Sequence, residues 1–214
     1  DGINWTASGT NGGVDGTAFC VAYANGLWVA GGSGSNTIAT STNGVTWTGQ
    51  VSKTIITINV RGVAYGKDGS GAGLWVATGL TGSVLATSPD GIVWTSRITY
   101  NDTFNDQGRA ATFGKDASGA DLWVAFGGGS TKSVTATSRD GYNWVPAATK
   151  TAFTTYAFGG VYVNGLWVAV GQGGNSIATS TDGVSWTGRE PRSVFSNMAW
   201  GIAYGEFPVT KPAF

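Results

Sequence analysis

VAYANGLWVAGGSGSNTIATSTNGVTWT, residues 21–48, is one of four related stretches, and reading the four together decides the fold. The others are VAYGKDGSGAGLWVATGLTGSVLATSPDGIVWT (63–95), ATFGKDASGADLWVAFGGGSTKSVTATSRDGYNWV (111–145) and VYVNGLWVAVGQGGNSIATSTDGVSWT (161–187). Each carries an aromatic, a Gly-containing turn, LWVA, a Gly/Ser loop, an A-T-S run, an Asn-Gly or Asp-Gly pair, and a second tryptophan. Trp28, Trp75, Trp123 and Trp167 recur every 44 to 48 residues, followed by Trp47, Trp94, Trp144 and Trp186. A fixed period in this range marks a repeat architecture.

Each repeat reads as four short strands, A to D. Strand A carries Tyr23, Tyr65, Phe113 or Tyr162; strand B is LWVA; strand C is the A-T-S run; strand D carries the second tryptophan. Asn-Gly and Asp-Gly suit tight hairpin turns, because Asn and Asp tolerate positive φ and Gly takes it without steric cost. No stretch sustains a 3.6-residue period, so no helix is expected. Strands A and B are continuous apolar runs, which suit a sheet packed on both faces. One such sheet cannot bury itself alone, whereas stacking repeats around an axis buries both faces.

The expectation is therefore an all-β protein, a single β-propeller domain over 1–214 with about five four-stranded blades. The repeats run over approximately 19–48, 60–95, 109–145, 158–187 and 198–214 with 1–6. The last blade is split: DGINWT (1–6) resembles strand D, and MAWGIAYGEF (198–207) resembles strand A with Tyr204 in the aromatic position. It lacks an LWVA…IATS segment, and Pro208 and Pro212 disfavour regular strands there, so it is expected to be incomplete. The chain opens on Asp1 rather than Met, which reads as a processed product or a piece of something longer.

Composition narrows the functional classes. There are 36 glycines and 10 tryptophans, and charged residues make up 11% with zero net charge. That is a composition of tight turns and apolar strands, unlike disorder, which needs few aromatics and high net charge. No Lys/Arg cluster invites nucleic acid, and no apolar run approaches the roughly 20 residues of a membrane helix. Cys20 is the only cysteine, so no internal disulfide forms; a small buried hydrophobe is its expected role.

The segments STNGVTW, SPDGIVW, SRDGYNW and STDGVSW, from Ser41, Ser88, Ser138 and Ser180, resemble the Asp-box, or BNR, repeat of sialidases and many non-enzymatic propellers. The usual Asp-box has one more residue between Asp and Trp. The wider GLWVAVG…ATS-DG-xWT pattern is similar to repeats in phage tail and fibre, large-virus and bacterial surface proteins. The resemblance implies a propeller; it implies function only weakly, since one fold carries many functions. In that family the turns lie away from the active site.

Recurrence in every repeat makes Asn43, Asp90, Asp140 and Asp182 structural turn residues, their side chains bonding the turn's own amides. The same argument places the eight repeat tryptophans in the packing between repeats, while Trp200 lies outside the pattern. Asp68, Asp116 and Asp121 sit in loops that offer one or two carboxylates each, too few for calcium, so neither metal nor cofactor is expected. There is no histidine, which removes His-based triads and His-based metal sites. Arg61, Arg97, Arg109, Arg139, Arg189 and Arg192 read as occupying dissimilar places in the repeats, unlike a sialidase arginine cluster. No catalytic residue is assigned.

Long D–A loops (51–61, 98–109, 148–158 and 189–200) differ between repeats, and variable loops on a constant scaffold are where binding resides. They carry the candidate ligand-binding residues Tyr100, Phe104, Asn105, Tyr156 and Trp200. The resulting expectation is a non-catalytic recognition domain at an extracellular or virion surface, binding a neutral glycan or protein receptor. The alternatives are a structural subunit of a fibre that partners other subunits of a larger assembly, and, least favoured, a glycosidase.

Overall fold

The computed structural model describes residues 13–50, 55–99, 104, 107–129, 133–147, 152–189, 195 and 197–205. These residues are all-β, with fifteen strands and no helix among them. Repeat 1 forms β1 (Ala18–Ala24), β2 (Leu27–Gly32), β3 (Ile38–Ser41) and β4 (Thr48–Gln50), an antiparallel meander. Repeat 2 forms β5 (Ile56–Lys67), β6 (Gly73–Ser88) and β7 (Thr95–Thr99). Here β6 covers the ground of two strands: its first half pairs with β5 and its second half with β7. Repeat 3 forms β8 (Gln107–Lys115), β9 (Asp121–Gly128), β10 (Thr135–Ser138) and β11 (Val145–Pro146), and repeat 4 forms β12 (Phe153–Val163), β13 (Leu166–Gly174), β14 (Ile177–Ser180) and β15 (Thr187–Gly188).

Two of the expected D–A loop boundaries are corrected substantially. β5 starts at Ile56 and β12 at Phe153, so 56–61 and 153–158 are strand rather than loop. At Val60/Gly62 and Ala157/Gly159 the pairing shifts register, and the strands continue through these bulges. Residues 1–6, expected to supply a strand D, lie outside the described residues.

Local chemistry explains the turns. Between the first two strands of repeats 1 and 4, Asn25-Gly26 and Asn164-Gly165 all have positive φ, the conformation of a two-residue type I′ hairpin. In repeats 2 and 3 the longer loops are closed by a carboxylate. Asp68 Oδ1 accepts from the amide and hydroxyl of Ser70 and the amide of Ala72. Asp116 does the same with Ser118 and Ala120.

The turn before each second tryptophan repeats one bonding pattern. Asp90 Oδ1 accepts from the amides of Ile92 and Val93 at 2.8 and 2.9 Å and from the Ser88 hydroxyl at 2.8 Å. Ser88 Oγ in turn accepts from the Gly91 amide, and Trp94 Nε1 donates to the Gly91 carbonyl. Asn43, Asp140 and Asp182 occupy the same place in their turns. The Val93 amide leads in holding Asp90 below its usual range. Burial pushes Asp140 up, but the amide and side chain of Asn143 and the amide of Tyr142 outweigh it, and the carboxyl settles at about 2.

Three apolar cores sit between successive repeats. The first joins Val29 and Ile38 to Ile56, Val60, Trp75 and Trp94. The second joins Leu74, Val76 and Leu85 to Phe104, Trp123 and Ala125. The third joins Leu122, Val124 and Phe126 to Phe153, Trp167 and Trp186. Strand alternation divides each LWVA: Leu74 and Val76 face repeat 3, while Trp75 and Ala77 face repeat 1. Trp75, Trp123 and Trp167 are fully buried, and Trp123 Nε1 and Trp167 Nε1 donate to the carbonyls of Lys67 and Lys115 in the preceding repeat. Trp123 and Trp167 thus each fill a core and satisfy their one polar atom.

Backbone bridges link the repeats in one register. The residue five places after each first tryptophan pairs with the residue six places before the next strand-A aromatic: Ser33 with Asn59, Leu80 with Gln107, Gly128 with Tyr156, and Gln172 with Met198. The last of these is an isolated bridge at Met198, six residues before Tyr204. The Ala199 amide donates to the Gly171 carbonyl and reinforces it.

Candidate functional site

That register brings five equivalent segments to one pocket of about 220 Å³, lined by Cys20, 61–63, 109–111, 158–160 and 200–202. The position four residues before each strand-A aromatic holds Phe19, Arg61, Arg109, Phe158 and Trp200. One residue further on stand Cys20, Gly62, Ala110, Gly159 and Gly201, all small. The small layer opens the space; Arg61, Arg109, Phe158 and Trp200 of the large layer rim it, and Phe19 lies against Arg61. Backbones approach closely here: a Cβ on Gly62 would sit 2.7 Å from the Ala110 Cα.

The rim is a chain of arginine and aromatic contacts. The Arg61 guanidinium carbon lies 4.2 Å from the Phe19 ring centroid. That of Arg109 lies 5.1 Å from Phe158, 5.5 Å from Tyr156 and 5.8 Å from Trp200. Phe158 is stacked on both Tyr156 and Trp200. Guanidinium groups over aromatic faces are held by the ring quadrupole. The Arg61 Nε is buried without a hydrogen-bond partner among the described residues. Burial pushes the Cys20 thiol at the pocket wall up to about 12, so it offers no thiolate at neutral pH.

The sequence-predicted site is only partly assembled. Trp200 lines the pocket, and Tyr156 stacks on Phe158 behind the rim. Tyr156 is half-buried on β12, and Trp200 is 64% exposed. Phe104 is corrected: it is completely buried in the core between repeats 2 and 3, beside Val84, Leu85 and Trp123, and is out of reach of a ligand. Tyr100 and Asn105 lie outside the described residues. Asn43, Asp90, Asp140 and Asp182 do not line the pocket.

Arg61, Arg109 and Phe158 are the rim residues that sequence reasoning missed, with Phe19 behind Arg61. The reading of the arginines as dissimilarly placed is corrected for two pairs. Arg61 and Arg109 stand four residues before Tyr65 and Phe113; Arg97 and Arg189 stand three residues after Trp94 and Trp186. Trp200, read as outside the pattern, stands four residues before Tyr204. Counting back from the strand-A aromatic is the signal that finds all five.

No family model matches the sequence, and no curated protein matches it. Solved structures do match. Over 80% of this chain and 23% of the other, the fold is similar to the Niastella koreensis GH74 enzyme, at 19% identity and a TM-score of 0.51. Over 80% of this chain and 48% of the other, it is similar to the computationally designed Ika8 protein, at 12% identity and a TM-score of 0.50. The chain spans about a quarter and about half of these two structures, and at such identities the likeness is one of fold. The expectation of a non-catalytic attachment domain is corrected on this point: a solved structure that shares the fold is named as a glycoside hydrolase.

Proposed function

We propose that this chain is the all-β unit of a carbohydrate-processing protein and that the pocket at the first strands is its saccharide site. In this reading the repeats are propeller blades, about five around an axis, with residues 198–204 opening the fifth and the Ser-x-Asp-Gly turns acting as Asp-box-like hairpins. The carrying observation is the rim of four repeat-equivalent residues, Arg61, Arg109, Phe158 and Trp200, two of them aromatic, around a floor of small residues. Aromatic faces suit the apolar C–H faces of sugar rings, and a few polar groups fix orientation. The likeness in fold to a GH74 enzyme agrees with a carbohydrate ligand. The pocket holds about 220 Å³, below the roughly 300–1,000 Å³ of drug-sized sites. It therefore takes one unit of a longer saccharide, entering end-on.

Titration with oligosaccharides, followed by tryptophan fluorescence, tests this. The expected result is a saturable change in emission that Trp200→Ala abolishes. An unchanged response in Trp200→Ala, or no saturable response to any saccharide, rules the site out.

A further inference from the structure

We propose that the open apolar faces of repeats 1 and 4 form a docking gap for a β-hairpin of the repeat's own LWVA…ATS chemistry, donated by a partner polypeptide. This rests on the reading of the repeats as blades around one axis, which brings both faces to one gap; the saccharide site takes no part in it. In repeats 2 to 4 the tryptophan and alanine of LWVA face the preceding repeat, and in repeats 1 to 3 the leucine and valine face the following one. Where a neighbour is present, burial is nearly complete: Trp75, Trp123, Trp167, Leu74 and Leu122 are at most 2% exposed. The same positions at the two ends are open. Trp28 and Ala30 are half-buried. Tyr23 and Val21, which stand opposite them across the ladder and share their face, are both 56% exposed. On repeat 4, Leu166 is 41% exposed and Val168 half-buried. The turn glycines repeat the contrast. A Cβ on Gly91, Gly141 or Gly183 would strike Leu27, Leu74 or Leu122 of the preceding repeat, whereas one on Gly44 would meet only Trp28 of its own.

Contiguous apolar faces left open mark interaction sites, and the three internal interfaces define what covers this one. Each sets a leucine and a valine on one side against a tryptophan, an alanine and a turn glycine on the other. A hairpin carrying LWVA and the A-T-S run supplies both sides at once. Its leucine and valine would cover Tyr23 and Trp28, and its tryptophan and alanine would cover Leu166 and Val168. The gap also has an inner edge to receive it. Met198 bridges Gln172, residues 200–202 line the pocket with Cys20, and among the described residues 199–204 form no strand. A donated strand can pair there as β2 pairs with β1. This chain is not the donor: it has four LWVA segments, and all four are already strand, in β2, β6, β9 and β13. A second copy has the same four in use, and laying one of its open faces on this chain would cover one side of the gap only.

The probe is a synthetic peptide with the sequence of residues 166–188, which carries the second, third and fourth strands of repeat 4. It is titrated into the whole chain by calorimetry and followed by amide hydrogen exchange. Saturable binding is expected, with slowed exchange at residues 199–204. Tyr23→Asp and Leu166→Asp in the chain, both at exposed positions and checked for unchanged melting curves, are each expected to weaken binding by about tenfold or more. Trp167→Ala in the peptide, which leaves the chain untouched, is expected to do the same. A scrambled peptide that binds as well, or binding that none of these changes weakens, overturns the docking. So does a chain that self-associates without peptide and is made monomeric by Tyr23→Asp, because a second copy then holds the face. Loss in Tyr23→Asp with full binding in Leu166→Asp sets the two faces apart and overturns the arrangement around one axis on which the gap rests. No peptide binding, with the saccharide titration still saturable, overturns the docking and leaves the pocket standing.

Discussion

Trp200 and Phe158 stack with ring centroids 4.5 Å apart and planes 28° from parallel. Phe158 belongs to β12 of repeat 4 and Trp200 to the segment that follows repeat 4. The contact therefore ties the last described segment to the body of the fold, at the pocket rim. Phe158 is nearly buried, whereas Trp200 keeps most of its surface open to solvent.

The first prediction follows from that contrast. Trp200→Ala is expected to cost only about 0.5–1.5 kcal/mol, the worth of an aromatic pair, because little other burial is lost. Phe158→Ala is expected to cost about 3 kcal/mol or more, since it empties a nearly buried site. Urea denaturation of the two variants checks the order.

A comparison of glycines isolates packing between repeats. Gly26 has φ +76° and no neighbour within 4 Å of an added Cβ. Gly91 has the same φ, but its Cβ would meet Leu27 Cδ2 at 2.8 Å and Val29 Cγ2 at 3.1 Å, both in the preceding repeat. Gly26→Ala is expected to cost about 1–2 kcal/mol, the left-handed backbone penalty. Gly91→Ala is expected to add about 1–3 kcal/mol of overpacking. Equal losses in chemical denaturation would show that the turn does not pack on its neighbour.

The turn carboxylates predict an acid limb. Asp140 falls from 3.8 to about 2 in the folded protein, and Asp90 and Asp182 are also lowered. A carboxyl depressed on folding stabilises above its unfolded pKa, and that stability is lost as pH falls through the folded value. Stability is therefore expected to fall between about pH 4 and pH 2. Asp140→Asn, which keeps the turn bonds as Asn43 does in repeat 1, is expected to make that limb shallower. Melting temperatures measured across this window decide it; an unchanged slope in Asp140→Asn refutes the assignment.

The first tryptophans are not equivalent in energy. Trp123 is fully buried between repeats 2 and 3, whereas Trp28 is half-buried on repeat 1. Trp123→Ala is expected to cost about 3–5 kcal/mol, enough to unfold much of a marginally stable domain. Trp28→Ala is expected to cost clearly less, and circular dichroism melts rank the two.

How much was legible differs from element to element. LWVA, A-T-S and the Asp-Gly pairs announce strand and turn, because those signals are local: apolar runs, β-branched residues, and positive φ at Gly91 or Gly183. The role of Asp90 was legible for the same reason, since its partners are two and three residues away. Phe104 was not. It stands beside polar residues, and its burial comes from Leu85 and Trp123, which only the meeting of repeats 2 and 3 brings to it.

By itself, then, the sequence determined the repeat, its strands and its turns, because those rest on contacts within a few residues. Tertiary structure decided the site. Arg61, Arg109, Phe158 and Trp200 are up to 139 residues apart in the chain. They share a pocket because four bridges hold successive first strands in one register and small residues beside them leave room. No local signal encodes that convergence, since it is a property of how repeats stack rather than of any repeat alone.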